Sequence, residues 1–255
     1  MDYRCIVSDD MDIGGVLRIA SRLFVHRLVP IATVLLLVAV AESIWFYGQS
    51  AWIPGVPGED LWATLLDAIV PLVLSGLMFL SLMVIIAKTI DNSYTDWFAV
   101  WGVVWARLPA YIGTSLMLTV FIFGLSLLLI VPAIIFGVFW LFCLHAVALR
   151  KRDFLAALSY SKEIVSGRWW LMLGYIVLTM ISAAVIIWLG AALSFIPTLL
   201  LSMFAFMQPL LGLIYVFAIY LLMSFIAVVW TVLFLNLDIR KGPAAKIGET
   251  RAILE

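Results

Sequence analysis

The chain has 255 residues, of which 66% are hydrophobic and 12% charged, with fifteen bases balancing fifteen acids. Soluble domains carry about 25% charged residues, so this composition excludes an ordinary soluble domain, and the balanced charge gives no footprint for nucleic acid. Cys5 and Cys143 lie far apart, with Cys143 inside an apolar run, which argues against a disulfide framework.

The first pattern is "DIGGVLRIASRLFVHRLVP", where Ile13, Val16, Leu17, Ala20, Phe24 and Leu28 recur at helical spacing and Arg27 and Pro30 close the piece. Such a stripe predicts an amphipathic helix in a membrane interface. A span needs about 20 mostly apolar residues, and 28–48 is the first. No small-residue cleavage site accompanies it, so it reads as a retained span and not a signal peptide. The second span is 61–87. Glu42 and Asp67 each lie about six residues inside one end of these spans, roughly 9 Å deep at a 1.5 Å rise. Intramembrane acids are costly and default to functional hypotheses. With Glu59 and Asp60 in the joining loop, they form a candidate cation or proton site open to the outside. The plainer alternative is that both acids reach up to the headgroups.

"TDWFAVWGVVWARLPAY" repeats the first pattern with Trp97, Val100, Val104 and Leu108, ending in Arg107 and Pro109. From 108 to 149 there is no Asp, Glu, Lys or Arg. One helix of that length would greatly exceed the bilayer core, so the run must fold back. Val131-Pro132 is the natural hinge, giving spans 111–130 and 133–149. Cys143 and His145 sit near the end of the latter. Their i, i+2 spacing puts them on different helix faces, so His145 is expected to be a packed histidine bonded to a backbone carbonyl.

The segment "LRKRDFLAALSYSKEIVSGRWW" then places seven formal charges between two apolar stretches. Asp153 is a plausible N-cap. Phe154, Leu158, Val165 and Trp169 fall on one helical face, with Ser159, Lys162, Glu163 and Ser166 opposite. Gly167 can close the helix in the left-handed region. This predicts a third amphipathic interfacial helix. Spans 171–189 and 210–235 follow, with 190–209 as an apolar external segment.

The bases decide the count. Arg4, Arg18, Arg22, Arg27, Lys88, Arg107, Arg150, Lys151, Arg152, Lys162, Arg168, Arg240, Lys241, Lys246 and Arg251 all fall on one side if the last region holds two spans. Bases near span ends stay cytoplasmic, so both termini are expected inside. The expected fold is all-α and polytopic: six transmembrane helices in three hairpins, each preceded by an amphipathic helix. The units are 12–87, 95–149 and 153–237, with a tail at 238–255, and Asp12, Asp96 and Asp153 mark their starts.

Pro132, Ala157-Leu158, Ser161, Val165, "GRWW" and the closing "LNLDIRKG" carry a resemblance. The chain resembles the membrane-domain family of glycerophosphodiester phosphodiesterases and of stand-alone YciC-like bacterial inner-membrane proteins. Ala133 stands where a glycine often follows the proline, and Arg150 where an acid is usual. The resemblance implies a six-span bacterial inner-membrane protein and transfers no active-site residue.

No metal-ligand cluster, phosphate loop or nucleophile with a partnered base stands out, so no catalysis, metal or cofactor is expected. Arg27, Arg107, Arg150, Lys151, Arg152 and Arg168 form a basic rim suited to lipid headgroups. Trp97, Trp101, Trp105, Trp169 and Trp170 are placed to anchor at headgroup depth. The first functional expectation is a non-enzymatic protein that organises membrane lipids or docks a membrane or cytoplasmic protein partner. The rivals are a transporter using Glu42 and Asp67, and, behind it, a lipid-modifying enzyme.

Overall fold

The computed structural model describes residues 13–52, 61–91, 97–201 and 208–241, and among them every regular element is helical. The chain order is α1 (Ile13–His26), α2 (Leu28–Trp52), α3 (Leu61–Ile90), α4 (Trp97–Leu128), α5 (Ile130–Phe139), α6 (Cys143–Arg150), α7 (Phe154–Val165), α8 (Trp169–Leu201) and α9 (Gln208–Lys241). Arg4, Cys5, Asp12, Glu59, Asp60, Asp96, Lys246 and Arg251 lie outside the described residues.

Six described segments are long and apolar enough to cross a membrane: Leu28–Gly48, Thr64–Ile90, Phe98–Leu128, Ile130–Arg150, Trp169–Ala192 and Leu210–Arg240. Their outward faces carry side chains that water would penalise, such as Val120, Leu127 and Trp188, all more than 60% exposed. Lipid tails are as apolar as these groups. The protein is an all-helical, multi-pass membrane protein.

The core forms around the last helix. α9 packs against α1, α2, α3, α7 and α8. It runs antiparallel to α2, since Gly212 meets Tyr47 while Tyr220 meets Glu42. Its second half buries Val228, Val232, Phe234 and Leu237 against a core that includes Leu35, Leu80, Ile85 and Phe142. α1 joins with Val16, Ile19, Ala20 and Leu23 buried, while Arg18, Arg22 and His26 stay exposed.

Three expected boundaries move. The hinge of the long apolar run is Leu129, whose backbone is extended (φ −158°, ψ 128°), and not Val131-Pro132. Pro132 is the third residue of α5, where a helical N–H has no intrahelical acceptor, so its missing donor costs nothing. After Leu129 the chain returns along α4, with Phe121 against Trp140 at 6.0 Å. The piece before the third span is no separate element either. α4 is one helix from Trp97 to Leu128 with Pro109 inside it. Val100, Val104, Leu108 and Tyr111 are all buried on one face, and that packing outweighs the roughly 3 kcal/mol a proline costs in a helix interior. Finally, 190–201 continues the fifth span, because α8 runs unbroken from Trp169 to Leu201. At 1.5 Å per residue it is about 50 Å long, well beyond the roughly 30 Å hydrocarbon core. No charge within it marks a stop.

The fourth span is itself broken. α5 ends at Phe139 and α6 begins at Cys143, with a turn between. A side chain from α7 repairs the ladder: the Phe142 N–H donates to Ser161 Oγ at 3.0 Å, and the Ser161 hydroxyl donates to the Phe139 carbonyl at 2.8 Å.

Candidate functional site

α7 is held by four neighbours, α4, α5, α6 and α9. It buries Ala157, Leu158, Ser161, Ile164 and Val165 and exposes Ser159, Lys162 and Glu163. Phe154, expected on one face with Leu158 and Val165, is 49% exposed while those two are buried. Asp153 occupies the N-cap position but makes no side-chain cap. The free Phe154 N–H instead donates to Thr114 Oγ1 on α4 at 3.2 Å. Phe154 is held at φ 49°, a strained conformation for a bulky residue, with its ring lying over Gly113. Gly167, with φ 80°, closes the turn into α8. There the Trp169 indole N–H donates to the Ile135 carbonyl at 3.3 Å.

The end of α6, the middle of α7 and the last turns of α9 meet at a buried charge cluster. Arg150 Nε donates to Asp238 Oδ2 at 2.8 Å, and its Nη2 reaches the same oxygen. The Tyr160 hydroxyl donates to Asp238 Oδ1. Asp238 is 1% exposed and the Arg150 side chain 18%. Arg150, expected on the lipid-facing rim, therefore turns inward. Its position just after a span hid that, because its partner lies 88 residues away. Burial, and then the charge of Asp238 and its hydrogen bond, push the Tyr160 phenol above the ordinary value of 10.0. A raised value makes a contribution that is complete below pH 10 and fades as pH climbs toward the folded value. The stability gap between the wild type and Tyr160→Phe, followed by thermal melting, should thus hold from pH 7 to 9 and narrow above pH 10.

The other rim bases differ. Lys151, in the left-handed region at φ 52°, and Arg152 are exposed. Neither forms an ion pair among the described residues. Arg107 is half-buried and feels the charge of Asp153. Arg168 is half-buried in the turn before α8. Arg27 joins α1 to α2, and its Nε is buried with no hydrogen-bond partner.

The two candidate intramembrane acids have different surroundings. Glu42 is half-buried on α2 and accepts a hydrogen bond from the Tyr220 hydroxyl on α9. Asp67 is exposed on α3. His145 is packed as expected, edge-on to Phe142 at 5.6 Å and stacked on Phe234 at 5.4 Å. The expected carbonyl bond is not made, since neither ring nitrogen has a partner.

No curated protein and no solved structure matches the chain. A family model described as the membrane domain of glycerophosphoryl diester phosphodiesterase matches residues 105–248, more than half of the chain. The matched part includes α5 to α9, and with them the Arg150–Asp238–Tyr160 cluster and the Ser161 repair of the fourth span. The chain belongs to this membrane-domain family.

Proposed function

We propose that the protein is a non-enzymatic component of a bacterial inner membrane that gathers anionic lipids on its basic cytoplasmic face. The placement of the bases favours both termini inside and three units, each of two crossings. The observation that carries the functional reading is the surface where α6 passes into α7. Lys151 and Arg152 stand exposed beside Phe154, 49% exposed, and Leu155, 63% exposed. Trp105 and Trp170, 57% and 79% exposed, add aromatic anchors on α4 and α8. Unpaired bases next to bare apolar groups suit the headgroup boundary, where the chains cover the apolar part and phosphates meet the cations. Each such base contributes about 1 kcal/mol near an anionic leaflet.

Native mass spectrometry of gently extracted protein tests this. The wild type should retain anionic phospholipid over zwitterionic, and the Lys151→Gln, Arg152→Gln double variant should retain several-fold less. Equal retention by the two would sink the reading. Detection of a labelled lipid being turned over by the purified protein would replace it with an enzymatic one.

A further inference from the structure

α7 follows α6 through a turn that is costly to hold. Two of its four residues, Lys151 at φ 52° and Phe154 at φ 49°, are the only non-glycine residues with positive φ among those described. Such a backbone is disfavoured for a residue with a Cβ, most of all a bulky one. The turn also crowds charge. Arg150, Lys151 and Arg152 follow one another, and of the three only Arg150 forms an ion pair among the described residues, with Asp238. The charge of Arg152 is felt as far as Tyr160. The exit from α7 is permissive by comparison, since Gly167 takes φ 80° without steric cost. Docking opposes the cost. Ser161 bonds both sides of the break in the fourth span, Tyr160 reaches Asp238, and the Phe154 N–H reaches Thr114. The Phe142 amide therefore has its partner only while α7 is docked.

We propose that anionic headgroups at Lys151 and Arg152 hold α7 docked, so that closure of the broken fourth span follows the charge of the surrounding leaflet. The coupling rests on the lipid reading above and adds a regulatory consequence to it. A ligand shifts an equilibrium only through its differential affinity for the two states, and the docked turn supplies that difference. With the Arg152 N–H bonded to the Ala146 carbonyl at 3.3 Å, the two bases are fixed beside exposed Phe154 and Leu155. An α7 that lifts off, with Gly167 as its pivot, relaxes the turn and spreads these groups apart. Headgroup phosphate offsets the two uncompensated charges and acyl chains cover the apolar pair, and both gains are lost on opening. In a neutral leaflet the strain and the repulsion weigh against docking without that counterweight, and α7 opens more often.

Hydrogen exchange of the Phe142 amide in the full chain tests this, in nanodiscs of phosphatidylcholine alone or mixed with phosphatidylglycerol, at one pH and ionic strength. Exchange should be several-fold slower with phosphatidylglycerol, while α2 amides such as that of Ile31, bonded to the Arg27 carbonyl, should not respond. The Lys151→Gln, Arg152→Gln double variant should exchange alike in both discs, at a rate no slower than the wild type in phosphatidylcholine. Lys151→Gly and Lys151→Gln lose the same charge, but glycine also relaxes the left-handed backbone. In phosphatidylcholine the glycine variant should therefore exchange more slowly than the glutamine variant. The proposal is overturned if the wild-type Phe142 amide exchanges alike in both discs, or if the double variant keeps the full lipid response. It is equally overturned if α2 slows as much as Phe142, or if glycine and glutamine at position 151 exchange alike. Native mass spectrometry separates the coupling from the lipid reading. Retained anionic lipid with an indifferent Phe142 amide overturns the coupling alone, and no preference for anionic lipid overturns both.

Discussion

Asp238→Ala should be among the most destabilising single substitutions in the chain, lowering stability by about 3–5 kcal/mol. It removes a carboxylate that is 1% exposed and strands the Arg150 guanidinium, whose side chain is 18% exposed. The loss comes from leaving a charge without compensation, and not from the net worth of the pair. A control follows from that distinction. Replacing both partners with apolar residues of similar size, Asp238→Leu with Arg150→Met, should recover most of the loss. Melting curves of the purified variants, or their abundance in the membrane, would read the difference. A double variant as unstable as the single would show that the pair itself supplies the stability. A single variant as stable as the wild type would show that Arg150 escapes to water. Tyr160 adds to the effect, since its hydroxyl loses its acceptor.

Ser161→Ala should cost about 2–4 kcal/mol, far more than a serine-to-alanine change on a helix surface. Ser161 is fully buried. Its one hydroxyl serves both sides of the break in the fourth span, accepting from the Phe142 N–H and donating to the Phe139 carbonyl. Removing it leaves a buried amide and a part-buried carbonyl unpaired, each costing about 1–3 kcal/mol. Water cannot easily replace it so close to hydrocarbon. Ser161→Thr keeps the hydroxyl and should lose less than alanine, whereas Ser161→Val should behave like alanine or worse. Hydrogen exchange of the Phe142 amide gives a local readout: it should quicken in alanine and valine and stay slow in threonine. Equal protection in all three would refute the role assigned to the hydroxyl.

The spans were legible because they fall in long apolar runs set off by charged segments, a signal that depends on composition and not on partners. Boundaries were less legible where a strong local cue competed with packing. Pro132 looked like a hinge, but a proline in the first turn of a helix is tolerated, and the real break falls at Leu129, a residue with no breaking tendency of its own. Pro109 looked like a stop, but buried Val104, Leu108 and Tyr111 hold the helix through it. Asp153 was recognised as a cap position, yet Thr114 on another helix satisfies the backbone there.

The candidate sites divide the same way. Glu42 stood out in the sequence because an acid in an apolar run is conspicuous. Its partner Tyr220, 178 residues later, is one tyrosine among eight and gave no signal. Arg150 and Asp238 each drew notice within short motifs, but nothing in either motif said that they pair. Ser161 could have been found from its place: it is a serine in line with Ala157 and Leu158 at helical spacing, and a hydroxyl on a buried helix face needs a partner.

The break between α5 and α6 bears on how the protein is made. The carbonyl of Phe139 and the amide of Phe142 are satisfied by a residue that lies 22 and 19 positions further along the chain. While the fourth crossing is leaving the ribosome, its remedy has not yet emerged behind it. That crossing must wait, unfinished, beside the insertion machinery until the following amphiphilic stretch emerges and docks. Keeping that crossing beside the machinery until Val165 has emerged would favour correct assembly, and premature release of the crossing into lipid would leave its opened backbone with nothing to bond.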